Sequence, residues 1–165
     1  MDHEQSLTEQ GTIAYRWANP EDWKGGMLLA WKTFMEFEAS DYTQEGIRHF
    51  FEFITDDDIH KAFLAGSYPM LIACDGDKIV GMGTLRGSNR LSLLFVDAEY
   101  HRRGIGRELL HRLGEFLRAE KGEAYMTVKA APYAVDFYRR LGFYTVEPER
   151  SIHGILVTGM EKLLK

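Results

Sequence analysis

Between His101 and Arg107 the sequence reads HRRGIGR, three arginines and a histidine around two glycines, directly before a helical run. At a helix start the first backbone N–H groups have no intrahelical partner, and glycine lets an anion approach them with no Cβ in the way. Arg102, Arg103 and Arg107 add positive charge where the helix dipole is already positive. In the empty protein those charges repel, so a bound polyanion explains them more economically than a solvated helix cap does. The backbone through Arg102, Arg103, Gly104, Ile105, Gly106 and Arg107 is therefore a candidate pyrophosphate cradle. Other phosphate motifs do not fit: G-x-x-x-x-G-K-[ST] is absent, and Gly81, Gly83 and Gly87 are spaced G-x-G-x-x-x-G, one residue too wide for a dinucleotide turn.

The elements that position this turn follow from hydrophobic periodicity. GTIAYRWA reads as a strand, and NPED opens a helix from about Glu21 to Glu38 with Met27, Trp31, Phe34 and Met35 at helical spacing. TQEGIRHFFEFI is a second helix, and TDDD caps a short third one, IHKAFLAG, since carboxylates at a helix start accept backbone N–H bonds. MLIACDGDKIVGMGTLRGSNRLSLLFV contains three β-like runs split by DGDK and RGSN, the pattern of an antiparallel meander. A helix from Gly104 to Lys121 carries Ile105, Leu109, Leu113, Phe116 and Leu117 on one face and stops at Gly122. Then come a strand AYMTVKA, a short helix PYAVDFYRRL, and strands GFYTVE and GILVTGMEKL. A meander followed by a β-α-β crossover predicts a mixed α/β sheet flanked by helices.

Composition narrows the classes. The 165 residues, 45% of them hydrophobic, suit one domain spanning residues 11–165, with residues 1–10 expected to be disordered. The polar, acidic start MDHEQSLTEQ is unlike a secretory signal, and no long apolar run is present; a cytoplasmic protein without membrane contact is expected. A net charge of −5 argues against a nucleic-acid partner. The single cysteine, Cys74, sits in the apolar run MLIAC as a buried, inert thiol. No His or Cys spacing suits zinc or iron, so no metal is assigned.

Two segments resemble one known family. VDAEYHRRGIGRELL is similar to the acetyl-coenzyme A signature of the GNAT N-acetyltransferases, a Gln/Arg-x-x-Gly-x-Gly/Ala turn between strand and helix; Gly104 and Gly106 match, and His101 stands where Gln or Arg is usual. AAPYAVDFYRRLGF resembles the family's N-x-x-A-x-x-F-Y-x-x-x-G-F segment, with Ala134, Phe137, Tyr138, Gly142 and Phe143 in register and Ala131 replacing the usual Asn. The resemblance implies a single-domain GNAT fold with a splayed pair of parallel strands. It implies acetyl-CoA as acyl donor. By the same resemblance the pantetheine arm is expected to pair with the backbone of Leu94, Phe95 and Val96 and to pass Ala131 and Phe137, while the pyrophosphate is expected to rest on the turn after His101. Tyr138 matches the family's general acid, whose phenol, with a pKa near ~10, protonates a thiolate whose acid lies near ~8.5.

The general base is open. The splayed strand RLSLLFV has no carboxylate. Glu38 falls four residues after Phe34 and seven after Trp31, on the apolar face of the first helix, where burial raises a carboxyl pKa toward neutrality. Glu36, Asp41, His153 and a water chain are the alternatives. Trp31, Phe34, Phe37 and Tyr42 suggest an aromatic acceptor cleft. The expected reaction is direct acetyl transfer to a primary amine of a small molecule, peptide or protein; the alternative is a catalytically weak acyl-CoA-binding sensor. The acceptor, the acyl length and the oligomeric state, a homodimer included, are left open.

Overall fold

The computed structural model describes residues 12–165; the segment 1–10, expected to be disordered, lies outside the described residues. Strand β1 (Ala14–Trp17) leads into a 3-10 turn, Pro20–Asp22, then helices α1 (Trp23–Phe37), α2 (Gln44–Ile54) and α3 (Asp57–Leu64). The meander is β2 (Met70–Asp75), β3 (Lys78–Arg86) and β4 (Arg90–Val96). Helix α4 (Ile105–Lys121), β5 (Tyr125–Ala130), α5 (Val135–Arg140), β6 (Tyr144–Ile152) and β7 (Ile155–Leu163) complete the chain.

The sheet has seven strands in the order β1-β2-β3-β4-β5-β7-β6, antiparallel throughout except for β4 beside β5. That is the mixed α/β arrangement expected, with α4 as the crossover. Apolar residues on the two sheet faces make two cores. Phe34, Phe50, Ile72, Met82 and Phe95 pack beneath α1 to α3. Leu91, Leu109, Leu113, Met126 and Met160 pack beneath α4 and α5. Leu109 and Leu113 are fully buried, so truncating either to alanine would cost ~2–5 kcal/mol.

Three boundaries differ from expectation for local reasons. The helix expected from Glu21 starts as a 3-10 turn, because the Asp22 carboxylate turns back to accept from the Asn19 N–H (2.7 Å) and from Arg16 (2.8 Å). The short helix after Pro132 likewise begins as a 3-10 turn, Pro132–Ala134. Strand β6 runs beyond GFYTVE to Ile152; it is an exposed edge strand with register shifts around Glu147, which accommodates Pro148. The acidic cap formed as expected, with Asp56 accepting from the Asp58 N–H at 2.7 Å.

Candidate active site

A cavity of about 710 Å³ opens where β4 and β5 part. Their pairing is confined to Arg90 with Thr127 and Leu91 with Val128. Immediately beyond, β4 carries a bulge. Leu91 pairs with Leu85 and Leu93 with Thr84, which leaves Ser92 as the extra residue. A single inserted residue exchanges the two sides of a strand. Before the bulge, the Asn89 C=O accepts from the Thr127 N–H (3.0 Å), so odd-numbered residues face β5. After it, the Leu93 and Asp97 N–H groups face β3, donating to Thr84 Oγ1 (3.1 Å) and the Val80 C=O (2.8 Å). The side chains show the same exchange: Leu91 lies in the α4 core, Leu93 and Phe95 in the α1 core, Leu94 and Val96 against the α4 core again. Alternation therefore turns the backbone of Leu94 and Val96 into the gap, whereas Phe95 faces β3 and contributes its side chain to the wall.

His101 closes the end of this open edge. Its Nε2 donates to the Val96 C=O at 2.8 Å, which fixes the Nε2–H tautomer. The residue standing in place of Gln or Arg thus holds the strand end rather than pointing at an anion. Beyond it, Arg102 and Gly104 both adopt left-handed backbone, at φ 66° and 77°. A Cβ on Gly104 would project into open space, while one on Gly106 would press on Phe137 at 3.3 Å. The two glycines therefore differ in purpose: Gly104 permits the turn, and Gly106 lets α5 lie close to the first turn of α4. No side chain caps that helix start, so its leading amides stay available to an anion.

The charges around the cradle are distributed unevenly. Arg102 and Arg107 line the cavity, and so does Arg140 from α5, three residues after Phe137 and on the same helix face. Among the described residues none of the three has a carboxylate partner. Arg103 is not in the wall; its guanidinium lies over the Tyr100 ring at 4.8 Å. Tyr100 in turn donates to Asp75 Oδ2 at 2.5 Å, tying the turn to the β2–β3 hairpin. Asp97, 3% exposed, accepts from the Glu99 N–H (2.9 Å) and faces Lys32 and Lys78.

At the other end of the same cavity stand Glu38 and Tyr138. Glu38 is the C-cap residue just after α1, its N–H donating to the Phe34 C=O at 2.9 Å. Burial pushes its carboxyl up to about 7 against a hydrogen bond from Tyr42 Oη (3.4 Å) that pulls the other way; Asp41 adds a smaller upward push. Tyr138, 5% exposed, reaches the cavity from α5. Burial raises its phenol well above the usual range, and the negative charge of Glu38 raises it further. Two residues singled out separately in the sequence are thus close enough for the charge of Glu38 to reach Tyr138.

The remaining candidates lie elsewhere. Glu36 and Asp41 are exposed and outside the wall, and His153 sits in the β6–β7 turn, stacked on His49 at 4.7 Å. Ala131 precedes the wall, which begins at Tyr133 and Ala134. The aromatic cleft is smaller than expected. Phe34 is buried in the core, stacked on Phe50 at 4.0 Å, with Trp31 and Tyr42 packed beside it. Phe37 alone of the four lines the cavity, where its ring bridges His101 (5.0 Å) and Tyr133 (5.6 Å). Thr33, Tyr133 and Arg140 also line the wall without having been singled out. Of these, only Arg140 carried a signal, its spacing from Phe137.

Among the described residues no group of three His, Cys, Asp or Glu is placed to hold a metal, and no helix is long and apolar enough to cross a membrane. The family model of the GNAT acetyltransferase domain matches residues 38–164. A 60-residue stretch is 42% identical to the uncharacterized N-acetyltransferase YafP of Escherichia coli K12, spanning 36% of this chain and 36% of that protein. The crystal structure of a GCN5-related N-acetyltransferase from Rhodopseudomonas palustris superposes with a TM-score of 0.79, 28% identical, over 93% of this chain and 96% of that one. The PaiA N-acetyltransferase of Thermoplasma acidophilum, in complex with coenzyme A, gives a TM-score of 0.77 at 20% identity over 92% and 99%. With the family model covering most of its length, this chain belongs to the GNAT family of acetyltransferases.

Proposed function

We propose that the cavity takes acetyl-CoA along the open edge of β4 and transfers its acetyl group directly to a primary amine of a small molecule, peptide or protein. The observation that carries this reading is the placement of Glu38 and Tyr138 in one cavity beside the stretch of β4, Leu94 and Val96, that β5 leaves without a partner strand. The cofactor fits the residues present. Leu94 and Val96 offer strand-like pairing to an extended amide-containing arm. Gly104, the uncapped start of α4, and Arg102, Arg107 and Arg140 offer amides and unpaired charge to a pyrophosphate. The PaiA structure holds coenzyme A in the same fold.

Acetyl-CoA, when bound, supplies a thioester whose acyl carbon is open to attack by an amine. Glu38 takes the proton that the amine nitrogen loses as the C–N bond forms, and a carboxyl near 7 is ionised over half the time just above neutrality. A Leu94 or Val96 N–H facing the gap polarises the thioester oxygen. Tyr138 Oη gives its proton to sulfur as the C–S bond breaks. The two steps assist each other: once Glu38 is protonated, the charge that raised the Tyr138 phenol is gone, so Tyr138 becomes a better acid just when the thiolate needs one. The absence of a carboxylate on β4, which favoured a weak binding module, has its counterpart in Glu38 arriving from α1.

A screen of primary amines with acetyl-CoA, read by release of free thiol, tests the proposal. Turnover with at least one cationic amine is expected, rising with pH through about 7. Acetyl-CoA binding, seen as a higher melting temperature, with no thiol release across the panel would leave only the sensor reading.

A further inference from the structure

Three hydroxyls meet in the apolar core behind the opened strand, and no step above uses them. Tyr68 is 1% exposed and Thr84 fully buried. The Leu93 N–H donates to Thr84 Oγ1 (3.1 Å), Thr84 Oγ1 donates to Tyr68 Oη (2.9 Å), and Tyr68 Oη lies 2.8 Å from Ser92 Oγ. Tyr68 accepts from Thr84, and either oxygen can donate across the Tyr68–Ser92 contact, so the three hydroxyls form one continuous chain. The relay leaves β4 at Leu93, crosses β3 through Thr84, reaches Tyr68 ahead of β2, and returns to β4 at Ser92. Both of its ends are the bulge residues themselves.

A bulge costs ladder order and persists where surrounding groups hold it. The Tyr68 ring packs against Trp23 and Phe53, and the hydroxyls of Tyr68 and Thr84 are costly to leave unpaired at that burial, so each bond in the relay resists a slip of β4 back into continuous register. Such a slip would turn Leu94 and Val96 away from the gap and present Phe95 in their place. We infer that Tyr68 and Thr84 are positioning residues for acetyl-CoA: their hydroxyl relay fixes the Ser92 bulge, which aims the Leu94 and Val96 amides at the pantetheine arm. The inference rests on the acetyl-CoA reading of this cavity. It deepens it by separating two halves of the site: the relay governs the pantetheine wall, and the nucleotide end at Gly104 to Arg107 is tied down chiefly by Tyr100 on Asp75 and by Asp97 on the Glu99 N–H, contacts the relay does not touch.

The test uses two ligands and the full-length protein. Coenzyme A engages both halves; adenosine 3′,5′-bisphosphate carries the nucleotide end without the arm. Thr84→Val keeps the β-branched shape and removes the relay, and Tyr68→Phe keeps the ring. By calorimetry, coenzyme A is expected to bind each variant roughly tenfold more weakly while the bisphosphate stays within about twofold of wild type. Thr84→Ser, which restores a hydroxyl, is expected to recover coenzyme A affinity. In turnover, the KM for acetyl-CoA rises and the KM for the amine holds. Equal weakening of both ligands, or undiminished coenzyme A binding, would overturn the inference, since loss of fold alone cannot change one affinity and spare the other. Tyr68→Phe carries the same comparison if Thr84→Val does not fold. A wild-type protein that binds neither ligand would instead refute the acetyl-CoA reading itself.

Discussion

At one end of the cavity the lining groups are an uncapped helix start and arginines, most of them drawn from the single run His101 to Arg107. At the other, Glu38 and Tyr138 come from opposite halves of the chain; burial raises both groups, and the charge of Glu38 raises Tyr138 further. The first end is built by local backbone geometry: two left-handed residues, an uncapped helix start and a turn tied down at Asp75, Asp97 and Val96. The second is built by packing, since the carboxyl of Glu38 owes its shift chiefly to desolvation. Side-chain substitutions should therefore be graded at the anion end and severe at the acid-base end.

Glu38→Gln tests the severe side. If Glu38 is the proposed proton acceptor, kcat/KM is expected to fall about a thousandfold with coenzyme A affinity unchanged, and the rise in rate through pH about 7 should disappear. Stability should move the other way. A folded-state pKa of about 7 against 4.5 for an ordinary glutamate carboxyl means the folded protein binds more protons between those limits, so wild-type stability falls as pH rises through that window. Glutamine carries no charge at any pH, so the variant should gain ~2 kcal/mol over wild type at pH 8 and nothing at pH 4, measured by denaturant midpoints. Wild-type turnover in this variant would break the contrast. Tyr138→Phe comes next, with kcat down about a hundredfold and the KM for acetyl-CoA held, read by thiol release. Its raised phenol also predicts that wild-type activity shows no basic decline from Tyr138 below pH about 10.

At the graded end, Arg107→Gln and Arg140→Gln should each weaken coenzyme A binding by about three- to tenfold at low salt, with kcat unchanged. Both side chains line an open groove, so the effect should shrink as ionic strength rises, and titrations at two salt concentrations check it. A salt-independent loss would point to a packing role and blur the distinction between the ends.

This contrast also decides what could be read from the sequence. HRRGIGR carries its own geometry in residue types, because positive φ and an uncapped helix start are local properties, and the meander and crossover follow from turn residues and period. The acceptor wall is not written that way. Phe34 and Phe37 are equivalent in helical spacing, and only tertiary packing sends one into the core and the other to the cavity. Glu38 stood out by spacing, yet its upward shift comes chiefly from burial that only tertiary packing imposes, with a smaller push from Asp41 and against the hydrogen bond from Tyr42. The bulge at Ser92 is less legible still, since RLSLLFV reads as one mostly apolar strand and the residue that holds the bulge, Tyr68, precedes it by a whole hairpin.

Tyr100 gives the finest probe, because it touches no reacting group and sits at the anion end, where effects should be small. Its hydroxyl donates to Asp75, and its ring lies between Arg103 at 4.8 Å and Lys78 at 5.3 Å. Tyr100→Phe keeps the ring contacts and loses the hydrogen bond, so the turn loosens without losing charge. The KM for acetyl-CoA should rise about two- to threefold, with kcat and the amine KM unchanged. Asp75→Asn, which still accepts from Tyr100, should shift the KM less than Tyr100→Phe, and Tyr100→Ala, which frees Arg103, should shift it more. If all three leave the KM at the wild-type value, then the left-handed backbone at Arg102 and Gly104 holds the cradle unaided, and the anion end is even more local than its contacts suggest.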